Sequence, residues 1–238
     1  MTLPKLLWAA LPLVLVANAS PQELKMVPPR YGHQVFLPKK MWASHKKWPL
    51  ILYLHGKSLR GSDLSRVSAY GLPKRLQTDK GFPFIVLAPQ LPAGLRWTDT
   101  KALASLVTEA MRLYPVDQSR VYVMGYSMGA SGVWRVAHDN PTMFAALISI
   151  AGSYEKPLAQ SGRLKRVPVW VIHGTADKEA SASDAKAFVE LFRKHGGIGT
   201  FTPLIGRDHG LTDLFDDGRL YKWLLKFRRG RISNVNSL

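Results

Sequence analysis

Short apolar runs of strand length alternate with helix-like segments from residue 34 to residue 227, and this alternation leaves few architectures open. The runs fall at 34–37, 50–54, 84–88, 121–124, 145–150, 169–172 and 200–204. Several are β-branched and apolar on both faces, as buried parallel strands are. Segments 64–77, 99–113, 130–138, 183–194 and 219–227 read as helices. In the second of these, Leu103, Leu106, Val107, Ala110 and Leu113 recur at three- and four-residue steps. Strands alternating with helices predict an α/β fold, a mostly parallel sheet with helices on both faces. At 238 residues and 46% hydrophobic, the chain fits one such domain, expected over residues 20–238.

The first 19 residues do not belong to that pattern. A short start carrying Lys5 leads into an almost wholly apolar stretch at 6–16, and then into Ala17, Asn18 and Ala19. This is the layout of a secretory signal peptide cleaved after Ala19, which predicts a secreted or periplasmic protein. The apolar stretch falls short of the roughly 20 residues of a membrane span, so no transmembrane segment is expected once the leader is removed. The chain has no cysteine, which excludes thiolate chemistry, disulfides and cysteine-held zinc or iron–sulfur centres. No HExxH, EF-hand or Walker pattern occurs, and no metal or cofactor is expected.

Lys and Arg number 33 against 16 Asp and Glu, a formal charge of +17. Such a surface attracts anions. For an exported protein, an anionic cell-envelope polymer or lipid surface is the candidate partner and nucleic acid is not expected; the alternative is a solvated surface that merely resists aggregation. Lys226, Arg228, Arg229 and Arg231 form the densest local cluster, at a position that also suits a helix C-terminus.

Polar residues concentrate where the predicted strands end. The 121–124 strand runs into Gly125-Tyr126-Ser127-Met128-Gly129. A bare Gly-x-Ser-x-Gly arises by chance in a chain this long with a probability on the order of 0.1. A strand before it and a helix after it make the setting of a nucleophile elbow, with Ser127 on a sharp turn. Serine needs a base to take its proton and an acid to orient the base, in the order serine, acid, histidine for this architecture. Asp177 and His209 each follow a predicted strand and occur in that order. Glu179 and Asp184 are weaker rivals for the acid. His173 reads as a packed strand-end residue and His55 as a loop brace, while His33, His45, His138 and His195 read as exposed. An oxyanion needs backbone donors: the Met128 N–H is one, and the loop after the 50–54 strand supplies Lys57, with Ser58 as the alternative. Trp97 and Tyr126 are candidate pocket walls.

The stretches "PLILYLHGKSLRGSD", "VDQSRVYVMGYSMGASGVW", "NPTMFAALISIAGS", "VPVWVIHGTAD" and "LYKWLL" resemble the carboxylesterase branch of the α/β-hydrolases. The likeness is to dienelactone-hydrolase-like, feruloyl and polyhydroxybutyrate-depolymerase-type esterases. It spans residues 31–227 and implies Ser127 as nucleophile, Asp177 as acid, His209 as base and Gly56-Lys57 as the oxyanion loop. Ala130 stands where a third glycine is usual, and Lys57-Ser58-Leu59 replaces a small glycine-rich tip. In this fold a cap usually enters between the strands here expected at 145–150 and 169–172. Only residues 151–168 lie there, so no cap domain is expected.

The sequence therefore predicts a serine carboxylesterase acting on short-acyl or exposed esters. The alternatives are a peptidase of the prolyl-oligopeptidase type and a catalytically idle binding module on the same fold.

Overall fold

The apolar runs pair into an eight-stranded sheet in a computed structural model that describes residues 22–27, 31–79 and 81–230. The expected leader, and Arg231 of the C-terminal cluster, lie outside the described residues. The strands are β1 (Gln22–Val27), β2 (Tyr31–Phe36), β3 (Trp48–Leu54), β4 (Ile85–Pro89), β5 (Val116–Tyr126), β6 (Ala146–Ile150), β7 (Val169–Gly174) and β8 (Gly199–Leu204). Their spatial order is β1-β2-β4-β3-β5-β6-β7-β8. The antiparallel pairings are β1 with β2 and β2 with β4; β4, β3, β5, β6, β7 and β8 are mutually parallel.

Alternation along the strands builds two cores. Leu50, Leu52, Leu54, Val121, Val123, Leu147, Val169 and Val171 face one side. That side is covered by α2 (Thr100–Leu113), α3 (Met128–Asp139) and α5 (Ala182–Lys194) through Leu103, Val107, Val133, Trp134, Phe188 and Phe192. Ile51, Tyr53, Tyr122, Met124, Ile148 and Ile150 face the other. There α1 (Gly71–Leu76) and α6 (Gly218–Leu225) supply Leu72, Leu76, Leu220, Trp223 and Leu224. Each fully buried side chain of this size contributes roughly 1.5–3 kcal/mol, so the sheet needs both helical layers.

The structure departs from the sequence reading in places. β1 joins the sheet ahead of the seven strands expected. The helix expected at 64–77 is split into a 3-10 turn, Leu64–Ser68, and α1, because Gly71 adopts φ +73. A Cβ there would lie 2.2 Å from the Tyr53 hydroxyl. His33, read as exposed, is 3% exposed, since β2 begins two residues before it. The segment 151–168 holds only the five-residue helix α4 (Lys156–Gln160), so among the described residues no cap covers the sheet's C-terminal edge. In the C-terminal cluster, Arg228 pairs with Asp117 at 2.9 Å and Arg229 donates to the Thr142 carbonyl at 2.8 Å.

Chain order reverses about β3, which lies between β4 and β5. The loops leaving β3 and β5 thus meet at the switch point where α/β sheets bind ligands. His55 fixes the first loop. Its Nε2 accepts from the Leu91 N–H at 3.1 Å, so Nδ1 carries the proton and donates to the Gly56 carbonyl at 2.7 Å. The ring is fully buried, and burial pushes its pKa down to about 4.

Two outcomes follow for stability. A Cβ on Gly129 would sit 1.9 Å from the Leu54 carbonyl oxygen, which is backbone and cannot swing away. Gly129→Ala should therefore cost about 3 kcal/mol or more, measured as a lower denaturation midpoint. The second outcome concerns pH. The unfolded chain takes up a proton on His55 below about pH 6.5, and the folded protein resists it down to about pH 4. Stability should fall across that window as pH drops, by at most about 3 kcal/mol. His55→Gln should flatten this part of a plot of Tm against pH.

Candidate active site

Two backbone contacts force the turn between β5 and α3. A Cβ on Gly125 would lie 2.5 Å from the Gly129 carbonyl oxygen, and Gly129 itself abuts Leu54 of β3. Glycine at both positions lets the first turn of α3 close onto the ends of two strands. Ser127, between them, takes φ 54 and ψ −121, a region that side-chain-bearing residues seldom occupy. Its N–H donates to the Ile150 carbonyl at 2.8 Å, which ties the strained residue to β6. Among the described residues the other non-glycine with positive φ is Ala151 at φ 53, directly after β6 and beside the same turn.

The structure brings the three sequence-predicted side chains together. Ser127 Oγ lies 2.8 Å from His209 Nε2. His209 Nδ1 donates to Asp177 Oδ2 at 2.7 Å. Oδ1 of Asp177 accepts the N–H groups of Glu179 and Ala180 at 2.8 and 2.9 Å. Burial pushes the Asp177 carboxyl up, but the hydrogen bonds from His209, Ala180 and Glu179 outweigh it and hold the group below the usual carboxylate range. The His209 loop is fixed from the other side by the Tyr126 hydroxyl, which donates to the His209 carbonyl at 2.7 Å. Burial raises Tyr126 to about 12, so this donor keeps its proton.

The rivals stand elsewhere. Glu179 Oε2 is 3.7 Å from His209 Nε2, on a side chain 73% exposed. Asp184 sits in the first turn of α5, where its own N–H is capped by Ser181. His173 is a packed strand-end residue, as read from the sequence, but it has a partner the sequence reading missed: its Nε2 is 3.1 Å from Asp177 Oδ2. The signal was available, because "HGTAD" spaces a histidine four residues ahead of the acid.

Lys57 opens a 3-10 turn (Lys57–Leu59) capped by Gly56, and Met128 opens α3. The first N–H groups of a helical segment have no partner inside it, so both are available to an anion. Gly56 presses against the elbow: a Cβ on it would lie 3.4 Å from Ser127 Cβ. Ser58 Oγ is engaged with the Tyr70 hydroxyl at 2.7 Å. Two clefts meet here. One, about 650 Å³, is lined by Ser58, Tyr70, Tyr126 and Thr212; the other, about 390 Å³, by Arg96, Met128, Ser131, Arg135 and Tyr154. Lys57, Arg60, Ser127, Glu179 and His209 line both.

Trp97 is not a pocket wall. It is 0% exposed, its Nε1 donates to the His55 carbonyl at 3.0 Å, and it fills the room left by Gly132. Tyr126 does line the larger cleft. Among the described residues no group of three or more His, Cys, Asp or Glu could hold a metal ion. Among them, too, no helix is long and apolar enough to cross a membrane.

The chain resembles known proteins in sequence and in fold. NocK of Nocardia uniformis subsp. tsuyamanensis is 30% identical over 137 residues, 54% of this chain and 40% of that one. The bifunctional acetylxylan esterase/xylanase XynS20E of Neocallimastix patriciarum is 24% identical over 151 residues, 61% of this chain and 22% of that one. The chain thus matches less than half the length of either relative. The crystal structure of a thermostable esterase superposes with a TM-score of 0.73 at 23% identity, over 90% of this chain and 64% of that one, and a ferulic acid esterase with 0.63 at 19% over 82% and 90%. At such identities these likenesses establish the α/β-hydrolase fold. The profile of the dienelactone hydrolase family matches residues 94–212, half of the chain, including Ser127, Asp177 and His209. The protein belongs to the dienelactone hydrolase family.

Proposed function

We propose that the protein is an exported serine carboxylesterase that cleaves short-acyl or exposed esters through an acyl-enzyme on Ser127. The observation that carries the reading is the unbroken chain Ser127–His209–Asp177, at 2.8 and 2.7 Å, with its serine open to two clefts. Membership of the dienelactone hydrolase family and the esterase names of NocK and XynS20E support the same reaction class. Export rests on the leader-like residues 1–19 alone.

The chemistry follows from the positions. Ser127 Oγ attacks the ester carbonyl while His209 Nε2 takes its proton. Asp177 holds Nδ1–H and stabilises the imidazolium that forms. The tetrahedral oxyanion accepts hydrogen bonds from the N–H groups of Met128 and Lys57, each worth roughly a hundred- to thousandfold in rate. His209 then returns the proton to the departing alkoxide, and water, activated by the same nitrogen, releases the acid. No cap stands over the site, so a long acyl chain finds little apolar cover, and each methylene left in water forgoes roughly 0.8 kcal/mol.

Ser127→Ala should lower ester turnover by about 10⁴–10⁶ and abolish labelling by a fluorophosphonate, with the fold retained by circular dichroism. A variant that kept a tenth of the activity would remove Ser127 from this role. Across p-nitrophenyl esters, kcat/KM should be greatest for acetate and butyrate and should not jump when substrate forms micelles. A preference for long chains, or activation at a lipid interface, would count against the open-site reading.

A further inference from the structure

We propose that His173 is a positioning residue: it fixes the plane of the Asp177 carboxylate, and through it the ring of His209. The inference rests on the function proposed above for its kinetic consequence, but its structural content stands apart from it.

Asp177 is 0% exposed in its side chain, so no water completes its coordination. Oδ1 is held by two loop N–H groups, those of Glu179 and Ala180. Those two bonds alone leave the carboxylate free to rock about the Oδ1 anchor. Oδ2, the oxygen that faces His209 Nδ1, needs a second restraint. His173 stands 3.1 Å from it.

The histidine can serve only in one form. Its Nε2 is also 3.1 Å from the Ala180 carbonyl oxygen. A carbonyl and a carboxylate both accept, so Nε2 must carry the hydrogen. Its other nitrogen, Nδ1, is buried and has no hydrogen-bond partner among the described residues. A proton there would be a donor with no acceptor in a site that water does not reach, a costly arrangement. The unpartnered Nδ1 therefore fixes the tautomer, and the tautomer makes Nε2–H a donor to the Ala180 carbonyl, with Asp177 Oδ2 in contact 3.1 Å away.

His173 also clamps the acid loop as a whole. Ala180 donates to Asp177 Oδ1 through its N–H and accepts from His173 through its carbonyl. Asp177, Ala180 and His173 thus close a ring that begins on the rigid end of β7. The His209 loop docks on the same strand end. A Cβ on Gly174 would lie 2.4 Å from the Arg207 carbonyl oxygen, and the Ala176 N–H donates to that oxygen at 2.9 Å. Acid and base are therefore registered against one short piece of β7, and His173 is the side chain in it that touches the acid.

The test compares His173→Leu, His173→Gln and His173→Asn. Leucine fills the volume without a donor. Glutamine can bring an amide N–H to about the place of Nε2, whereas asparagine reaches only about the place of Nδ1. The readouts are kcat and KM on p-nitrophenyl acetate and the far-downfield proton resonance of the His209–Asp177 hydrogen bond. His173→Leu should lose about 10- to 100-fold in kcat with KM little changed, and its downfield resonance should broaden or vanish. His173→Gln should recover most of both, and His173→Asn should not. A folded leucine variant with wild-type kcat and resonance would overturn the proposal. If leucine prevents folding, the glutamine and asparagine variants decide: equal kcat and equal spectra overturn it, and a glutamine advantage in both supports it. Ser127→Ala separates the two readings. Activity surviving in that variant defeats the proposed reaction, while the resonance still reports on His173.

Discussion

The contact between Gly129 and the end of β3 is the constraint on which the site depends. Backbone meets backbone there, with no side chain between to adjust. That closeness sets how sharply the chain must turn after β5, and the sharp turn drives Ser127 into positive φ. The strain is held by parts that are rigid for other reasons: β5 is sandwiched between β3 and β6, and the Ser127 N–H is bonded across to Ile150. An exposed loop could not hold a residue in that conformation, because it would relax.

The same logic of rigid anchors governs the other members. The loop after β3 is braced by a buried histidine kept neutral by its surroundings. The Asp177 and His209 loops both rest on the end of β7, and the hydroxyl of Tyr126, the residue before Ser127, ties the His209 loop back to β5. Every group that would touch a reacting atom is thus within a residue or a short loop of one of the parallel strands β3, β5, β7 and β8. None depends on the sheet's antiparallel edge, where β1 and β2 lie.

Much of this was legible in the sequence, for a physical reason. Central parallel strands are apolar on both faces, and such runs stand out in any background; the expected runs fall on seven of the eight strands, several of them of this kind. Gln22–Val27 was missed because its Glu23 and Lys25 break the apolar run, as an edge strand allows. The helix expected at 64–77 failed at Gly71, whose positive φ answers to the Tyr53 hydroxyl 18 residues earlier, a contact no local pattern records. The order Ser127, Asp177, His209 was readable from strand ends alone. Trp97 was misjudged because the loop "LPAGLRW", exposed over residues 93–96, returns to the core at Trp97, where Gly132 leaves a hole for it. The contact of His173 with the acid was missed because a histidine at the end of a buried strand looks the same whether it merely fills space or holds a neighbour.

The meeting of two clefts at Ser127 has a consequence for the order of events. In the proposed acyl-enzyme, a carbonyl carbon bonded to Ser127 Oγ would stand where the two clefts meet, with room for one half of the substrate in each. The alcohol can depart through one mouth while the acyl half stays seated in the other. The water that completes the cycle then enters by the vacated route and arrives on the side of His209 from which the alcohol left. Entry and exit need not compete for a single throat, and no part of the fold has to open between the two halves of the reaction.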